Sequence, residues 1–401
     1  MVAQTPRVVL FPDSFHEVNG VAHTSRHFEA FAQRRNLPFL CVRAGNRAIP
    51  IEESENAWSL ELPRGFFSIS LERDLSFDPA YVRHLPLITR TVKRFNPTLV
   101  HITGPSEFGL LGAMMAHRFG LPLAASWHTN VHEYAARRFT GMLRRLPQTQ
   151  TLPVGRGIEN CAFSIATRFY SLANILFAPN PALCSMLETA TGRPCQLMPR
   201  GVDSQLFHPW RRTRRANDGE FVLGYVGRLS VEKNVALLGK VHRELEEAGH
   251  RRFKFLIVGH GAEEGWLRRN LQRAEFAGVL HGEALAKTYA NMDLFVFPSH
   301  TDTFGNVVLE ALASGVPVIV TPDGGPAGIV REGVTGRIAA DTEFAQVIGE
   351  LIRRPGMLSD MRRAARDYAL TASWDAVFDG VYDGYRSMLK TSSQESGLLR
   401  A

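Results

Sequence analysis

Leu294-Phe-Val-Phe-Pro-Ser-His-Thr-Asp-Thr-Phe-Gly-Asn-Val-Val-Leu-Glu-Ala-Leu-Ala-Ser-Gly-Val-Pro-Val-Ile-Val-Thr-Pro322 reads as a buried strand, a polar glycine loop, a helix and a second strand. Asp302 sits in the loop and Glu310 eight residues on, about two helical turns if the helix starts early. Open α/β sheets bind ligands at the carboxyl ends of their strands, and two carboxylates around such a loop can grip hydroxyls on two parts of one ligand. The expectation is a sugar nucleotide, with one acid for each sugar.

Outward from this stretch the same alternation recurs in two series. The first runs from Val8–Phe11 through a helix at about Val21 to Arg34, with strands expected at Phe39–Val42, Leu99–Ile102 and Leu123–Ser126. The second begins at Phe221 and continues through Phe253–Val258, Val279–His281, Leu294–Phe297 and Val316–Val320. Strands alternating with helices imply parallel sheets with right-handed crossovers. Between the series lie Arg200-Gly201-Val202-Asp203 and the arginine-rich segment Pro209 to Asp218, where a hinge is expected. A last helix is expected from Trp374 to Leu389, ahead of a frayed tail from Lys390 to Ala401.

With 401 residues, 45% of them hydrophobic and 21% charged, the chain has enough material for two cores. No apolar run reaches the roughly 20 residues that span a bilayer, and Met-Val-Ala-Gln-Thr-Pro-Arg does not begin a secretory signal, so a cytoplasmic location is expected. Cys41, Cys161, Cys184 and Cys195 form no Cys-x-x-Cys pair, which points to reduced thiols. The net charge of +7 favours an acidic partner: nucleic acid, an anionic lipid surface or a phosphorylated substrate. Nucleic acid is disfavoured, because there is no helix-turn-helix, zinc finger or basic run interleaved with aromatics.

Strand Phe221–Val226 leads into Gly227-Arg228-Leu229-Ser230-Val231-Glu232-Lys233-Asn234. Arg228 and Lys233 therefore sit at a strand's carboxyl end close to a helix amino terminus, where positive charge and N–H groups attract anions. The following strand ends in Gly259-His260-Gly261, which reads either as close backbone approach to a ligand or as a simple turn.

Taken together, Gly227-Arg228, Glu232-Lys233-Asn234, Gly259-x-Gly261 and the run from Pro298-Ser299 through Glu310 to Val318 resemble the retaining nucleotide-sugar glycosyltransferases of family 4. The likeness spans nearly the whole chain. In the first half it rests on Asn19-Gly20-Val21, His128-Thr129-Asn130 and Arg200-Gly201-Val202-Asp203 with Phe207 and Pro209. It implies the GT-B fold, an α/β architecture of two Rossmann-like domains with parallel sheets facing a central cleft. Residues 1–205 would form the acceptor-binding domain, with a C-terminal helix at about 374–390 packing back on it, and residues 206–373 the donor-binding domain.

The resemblance also implies roles. Arg228 and Lys233 would bind the donor diphosphate and stabilise the charge that grows on it as the glycosidic bond breaks. Gly227, Gly259 and Gly261 would line the donor site. Glu310 would accept hydrogen bonds from the ribose, and Asp302 with the backbone of Phe304, Gly305 and Asn306 would hold the sugar. Gly20 would let the first domain close on the phosphates, and His128 would contact the sugar near the reacting carbon. The family usually has glutamate where this chain has Asp302, and a glutamate where it has Gly328. The wording Thr-Asp-Thr-Phe-Gly-Asn-Val-Val-Leu-Glu is similar to a subset that includes GDP-mannose-dependent α-mannosyltransferases, so GDP-mannose is the favoured donor, with UDP-glucose and its relatives open.

No Asp-x-Asp pair occurs in the chain, so cationic side chains rather than a metal would neutralise the diphosphate. No cofactor is expected beyond the donor substrate. His23 and His27 have a spacing that can hold zinc, but with no carboxylate completing the site in sequence they read as a surface pair. His128 and His132 share that spacing, with the family position favouring sugar over metal. Read as a helix, residues 133–147 carry Phe139, Met142, Leu143 and Leu146 on one face with Arg137, Arg138, Arg144 and Arg145 around it. Such a segment lies on an anionic membrane surface, bringing a lipid acceptor to the site, or packs on its own domain. The expected activity is hexosyl transfer, best mannosyl, to an acceptor hydroxyl of a glycan or lipid. A nucleotide-sugar epimerase or hydrolase and a non-catalytic nucleotide-sugar-binding protein are the alternatives.

Overall fold

The computed structural model describes residues 5–17, 20–45, 49–52, 55–63, 69–72, 75–77, 79–128, 161–215 and 219–398. It divides into two compact units, Met1–Pro199 with Val377–Ala401, and Arg200–Ala376.

The first unit contains strands β1 (Val8–Phe11), β2 (Phe39–Gly45), β3 (Ile49–Glu52), β4 (Ala57–Pro63), β5 (Ile69–Glu72), β6 (Leu75–Phe77), β7 (Leu99–Ile102), β8 (Leu123–Ser126), β9 (Ile175–Ala178) and β10 (Cys195–Leu197). Eight of them form one sheet in the order β10-β9-β8-β7-β1-β2-β4-β3, parallel throughout except that β3 runs antiparallel to β4. β5 and β6 make a separate antiparallel pair. The strands β1, β7, β8 and β9 are buried along their whole length, as parallel strands covered on both faces must be.

Alternation along the strands assigns the two faces. Val9, Phe11, Val100, Ile102 and Ala125 join one core cluster with Trp127. On the other face His101 stacks on Phe177, with ring centroids 5.7 Å apart, and meets Tyr385 edge-on. That face is covered by the helix Gly20–Arg34 and by the carboxyl-terminal helix Trp374–Leu398, whose Phe378 stacks on Phe28 at 4.4 Å. The terminal helix runs to Leu398, past the point where fraying was expected.

The second unit is a six-stranded parallel sheet of β11 (Phe221–Val226), β12 (Phe253–Val258), β13 (Ala274–Gly278), β14 (Leu294–Phe297), β15 (Val318–Val320) and β16 (Gly336–Ile338), in the order β13-β12-β11-β14-β15-β16. The third strand is Ala274–Gly278 and not Val279–His281 as the apolar pattern suggested. It lies at the sheet edge, so its side chains are only partly covered and its sequence lacks a continuous apolar run, while Val279 beyond it is exposed. Gly278, in the left-handed region at φ +69°, ends it.

The arginine-rich segment after Pro209 is fastened to the second unit. Arg212 Nη2 donates to Asp293 Oδ1 at 2.6 Å, Arg214 Nη1 donates to Asp293 Oδ2 at 3.0 Å, and the Val222 amide donates to the same Oδ2 at 2.9 Å. Burial alone would raise the Asp293 carboxyl, but the Val222 amide and the Arg212 guanidinium hold it below its ordinary value. Replacing Asp293 with alanine removes the carboxylate that these partly buried cations share, and urea unfolding should show a loss of about 2 kcal/mol at pH 7. A depressed folded pKa means the contribution is present above the unfolded value of about 3.9 and is lost as pH falls through the folded one. The gap between wild type and D293A should therefore close below that range; a gap that is constant with pH would rule out the ion-pair account.

Candidate functional site

In the second unit the chain leaves β11 toward β12 and β13, then returns to β14 on the other side of β11, which makes the β11–β14 boundary a topological switch point. The loops that follow these two strands meet there. Lys233 Nζ donates to Asp302 Oδ1 at 2.6 Å, with both side chains about three-quarters or more buried. The other carboxylate oxygen, Asp302 Oδ2, is buried and has no hydrogen-bond partner among the described residues. An orphaned acceptor beside a paired cation is a place for a ligand hydroxyl.

The Lys233 loop is held by its neighbours. Tyr225 Oη donates to the Arg228 carbonyl at 2.9 Å, leaving the Arg228 side chain at the exposed surface of the turn. Residues Val231–Lys233 form a single 3-10 turn that Asn234 ends in the left-handed conformation, at φ +51°. Asn234 Nδ2 then donates to Asp341 Oδ2 at 3.0 Å. Asp341 Oδ1 lies 3.1 Å from His300 Nε2, whose Nδ1 is 2.9 Å from Asp323 Oδ2. Asp341 thus ties the loop carrying Lys233 to the loop carrying Asp302. Nothing about Asp341 in the sequence singles it out; His300, two residues before Asp302, could have been flagged.

Gly259 and Gly261 are required by the packing of one loop on another. A Cβ at Gly259 would lie 1.9 Å from the Gly227 carbonyl oxygen and one at Gly261 2.1 Å from that of Leu229. The glycines let the loop after β12 lie directly on the loop after β11, where Gly227 N donates to Val258 O at 3.0 Å and Leu229 N to His260 O at 3.1 Å. What excludes side chains there is protein backbone.

The helix carrying Glu310 starts at Asn306, after Gly305 at φ +92°. The eight-residue offset from Asp302 is therefore part loop and part helix, not two helical turns. Phe304 is buried in the core of the unit, so what it offers a ligand is backbone. Gly325 N donates to the Asp302 carbonyl at 2.7 Å, bracing the loop from the side of Gly328. Tyr289 Oη donates to Glu310 Oε2 at 2.8 Å. Burial pushes the Glu310 carboxyl up to about 7, against the lowering effect of that hydrogen bond.

In the first unit, Gly20 is the exposed first residue of its helix. His128 is buried just past β8, its Nε2 2.7 Å from Ser126 Oγ. Asp13, past β1, also escaped sequence reasoning: burial pushes its carboxyl up to about 7, against donation from Ser106 Oγ at 2.5 Å. His23 and His27 approach through their Nε2 atoms at 3.2 Å, and no group of three or more His, Cys, Asp or Glu that could hold a metal occurs among the described residues. Asn19, Thr129, Asn130, His132 and the basic segment 133–147 lie outside the described residues. No described helix is long and apolar enough to cross a membrane.

A family model described as Glycosyltransferase Family 4 matches residues 18–206, and one described as Glycosyl transferases group 1 matches residues 207–368. A GDP-mannose-dependent alpha-mannosyltransferase of Mycobacterium tuberculosis is 31% identical over 308 residues, covering 75% of this chain and 75% of the relative. A protein of the same description from Corynebacterium glutamicum is 28% identical over 319 residues, covering 77% and 72%. Among solved structures, sucrose-phosphate synthase from Thermosynechococcus elongatus matches 97% of this chain and 100% of its own with a TM-score of 0.69 at 18% identity. The two parallel-sheet α/β units are those of the GT-B fold.

The raised Glu310 carboxyl has a thermodynamic consequence. Its folded value of about 7 exceeds the ordinary 4.5, so the folded state resists ionisation between these values and loses stability as pH rises through them. Glu310→Gln should leave the melting temperature unchanged at pH 4.5 and raise it at pH 8, by about 2–4 °C for each kcal/mol of ionisation cost removed. Equal shifts at both pH values would mean that ionisation of Glu310 is not the cause.

Proposed function

Since this chain belongs to glycosyltransferase family 4, we propose that it transfers mannose from GDP-mannose to an acceptor hydroxyl of a glycan or lipid, with retention of configuration and without a metal. The observation that carries this reading is the Lys233–Asp302 pair at 2.6 Å across the β11–β14 switch point, with an orphaned carboxylate oxygen beside it. A cation for the diphosphate and an acceptor for a sugar hydroxyl are thereby held side by side.

In the proposed reaction the acceptor oxygen forms its bond to the anomeric carbon on the face from which the diphosphate leaves. The bond from that carbon to the phosphate oxygen breaks, and the acceptor's proton passes to the departing phosphate. Arg228 and Lys233 stabilise the charge that develops on the leaving group. Lys233 is already held by Asp302, so the ammonium need not be ordered when donor arrives. Asp302 Oδ2 accepts from a sugar hydroxyl, the amides following Phe304 support the sugar, and Glu310 accepts from the ribose. His128 is a proposed sugar contact, and Gly20 a proposed place of close approach to the phosphates. GDP-mannose is favoured because curated relatives over three-quarters of the chain carry that donor in their names. An anionic membrane surface engaged through the arginines of 133–147 is the proposed source of a lipid acceptor.

Lys233→Ala should lower kcat by roughly 100- to 1000-fold in a protein that melts normally, the loss expected for one preorganised charge on a leaving group. In a thermal-shift panel of GDP-mannose, UDP-glucose and ADP-glucose, GDP-mannose should raise the melting temperature most, because stabilisation grows with the ratio of ligand to Kd. Wild-type turnover in K233A would remove Lys233 from the mechanism, and a shift confined to UDP-glucose would reassign the donor.

A further inference from the structure

The first unit contains a buried chain of side-chain hydrogen bonds that ends on His128. Tyr385 Oη meets His101 Nδ1, His101 Nε2 lies 2.9 Å from Ser126 Oγ, and Ser126 Oγ lies 2.7 Å from His128 Nε2. Its members come from separate elements: Tyr385 from the carboxyl-terminal helix, His101 from β7, Ser126 from β8, and His128 two residues further along the same strand direction. Ser126 and His128 share a face because extended backbone alternates. All four are buried, at 0% exposure for Tyr385 and His101 and 7% for His128.

The direction of proton donation along this chain is determined by its far end. Burial pushes the Tyr385 phenol well up, so its proton stays in place, and His101 is the one hydrogen-bond partner of that hydroxyl among the described residues. A buried hydroxyl without an acceptor is costly, so Tyr385 donates to His101 Nδ1. Burial also pushes the His101 imidazole down to about 3, so it is neutral and carries its single proton on Nε2, toward Ser126. Ser126 accepts that proton's bond, and its own hydroxyl proton then has one acceptor left, His128 Nε2. The opposite direction would leave the Tyr385 proton without a partner.

We propose that Tyr385, His101 and Ser126 are positioning residues that hold His128 as its Nδ1–H tautomer, so that His128 acts in glycosyl transfer as a hydrogen-bond donor to a ligand oxygen and not as a base. The one unprotonated ring nitrogen is committed to Ser126, so the ring cannot take the acceptor's proton while the chain stands. This rests on the reading of His128 as a sugar contact. It also gives the carboxyl-terminal helix a part in the chemistry, through Tyr385.

The test uses the full chain labelled with 15N-histidine, and slow hydrolysis of GDP-mannose as the turnover readout. In wild type the His128 ring should show Nδ1–H with an unprotonated Nε2. Tyr385→Phe and Ser126→Ala, each checked by its melting curve, should mix the tautomers and lower kcat, S126A by about 10-fold, the size of one hydrogen bond. In a His128→Ala background the effect of Y385F on turnover should vanish, since residues acting through a common group are not additive. If H128A hydrolyses donor at the wild-type rate, the sugar-contact reading falls and the inference with it. If H128A is slow but the ring shows Nε2–H in wild type, or its tautomer is unmoved in both Y385F and S126A, only the positioning chain is overturned.

Discussion

A parallel strand covered on both faces can offer chemistry only at its ends, and both sheets of this protein obey that constraint. Strands β1, β7, β8, β11 and β14 carry almost nothing but buried apolar side chains along their length. His101 and Ser126 are exceptions, and both are buried and hydrogen-bonded, His101 at both ring nitrogens. Every residue in the reading of the site follows from where the next loop begins. Lys233, Asp302 and His128 each lie just past a strand's carboxyl end, and in the second unit the switch in strand order brings two such ends together.

That meeting is made specific by polar contacts between loops. The Lys233–Asp302 pair alone is a largely buried ion pair of modest worth, since two charges lose hydration to gain one another. Its rigidity comes from around it. Asp341 holds Asn234 and His300, Gly325 holds the Asp302 carbonyl, and the two glycines after β12 allow the loop after β11 to lie flat against its neighbour. The orphaned Asp302 Oδ2 and the raised Glu310 carboxyl are both costs to the folded protein. Groups kept at such cost in a native site are commonly those that a ligand satisfies.

The two units also treat buried polarity in contrasting ways. In the second, charges of opposite sign face each other in the loops that follow β11 and β14. In the first, Tyr385, His101 and Ser126 form a neutral chain inside the packed core, where low dielectric strengthens each bond and makes a broken one expensive. A neutral chain transmits orientation without burying charge.

Sequence alone determined the two-fold recurrence of strand and helix and the family, and it singled out Lys233, Asp302 and Glu310. These are written in local patterns: short apolar runs, Gly-Arg followed by Glu-Lys-Asn, and a loop ending in Asn-Val-Val-Leu-Glu. It misplaced β13, because an edge strand lacks the continuous apolar run of a buried one, and it did not show that Gly259 and Gly261 are required by a neighbouring loop, because such a glycine and one beside a ligand look the same in a chain. Only the tertiary structure decided that Lys233 and Asp302 share a hydrogen bond across 69 residues and that Tyr385 reaches His101 across 284. Side chains so far apart along the chain carry no mutual pattern, and their meeting is set by strand order and helix packing.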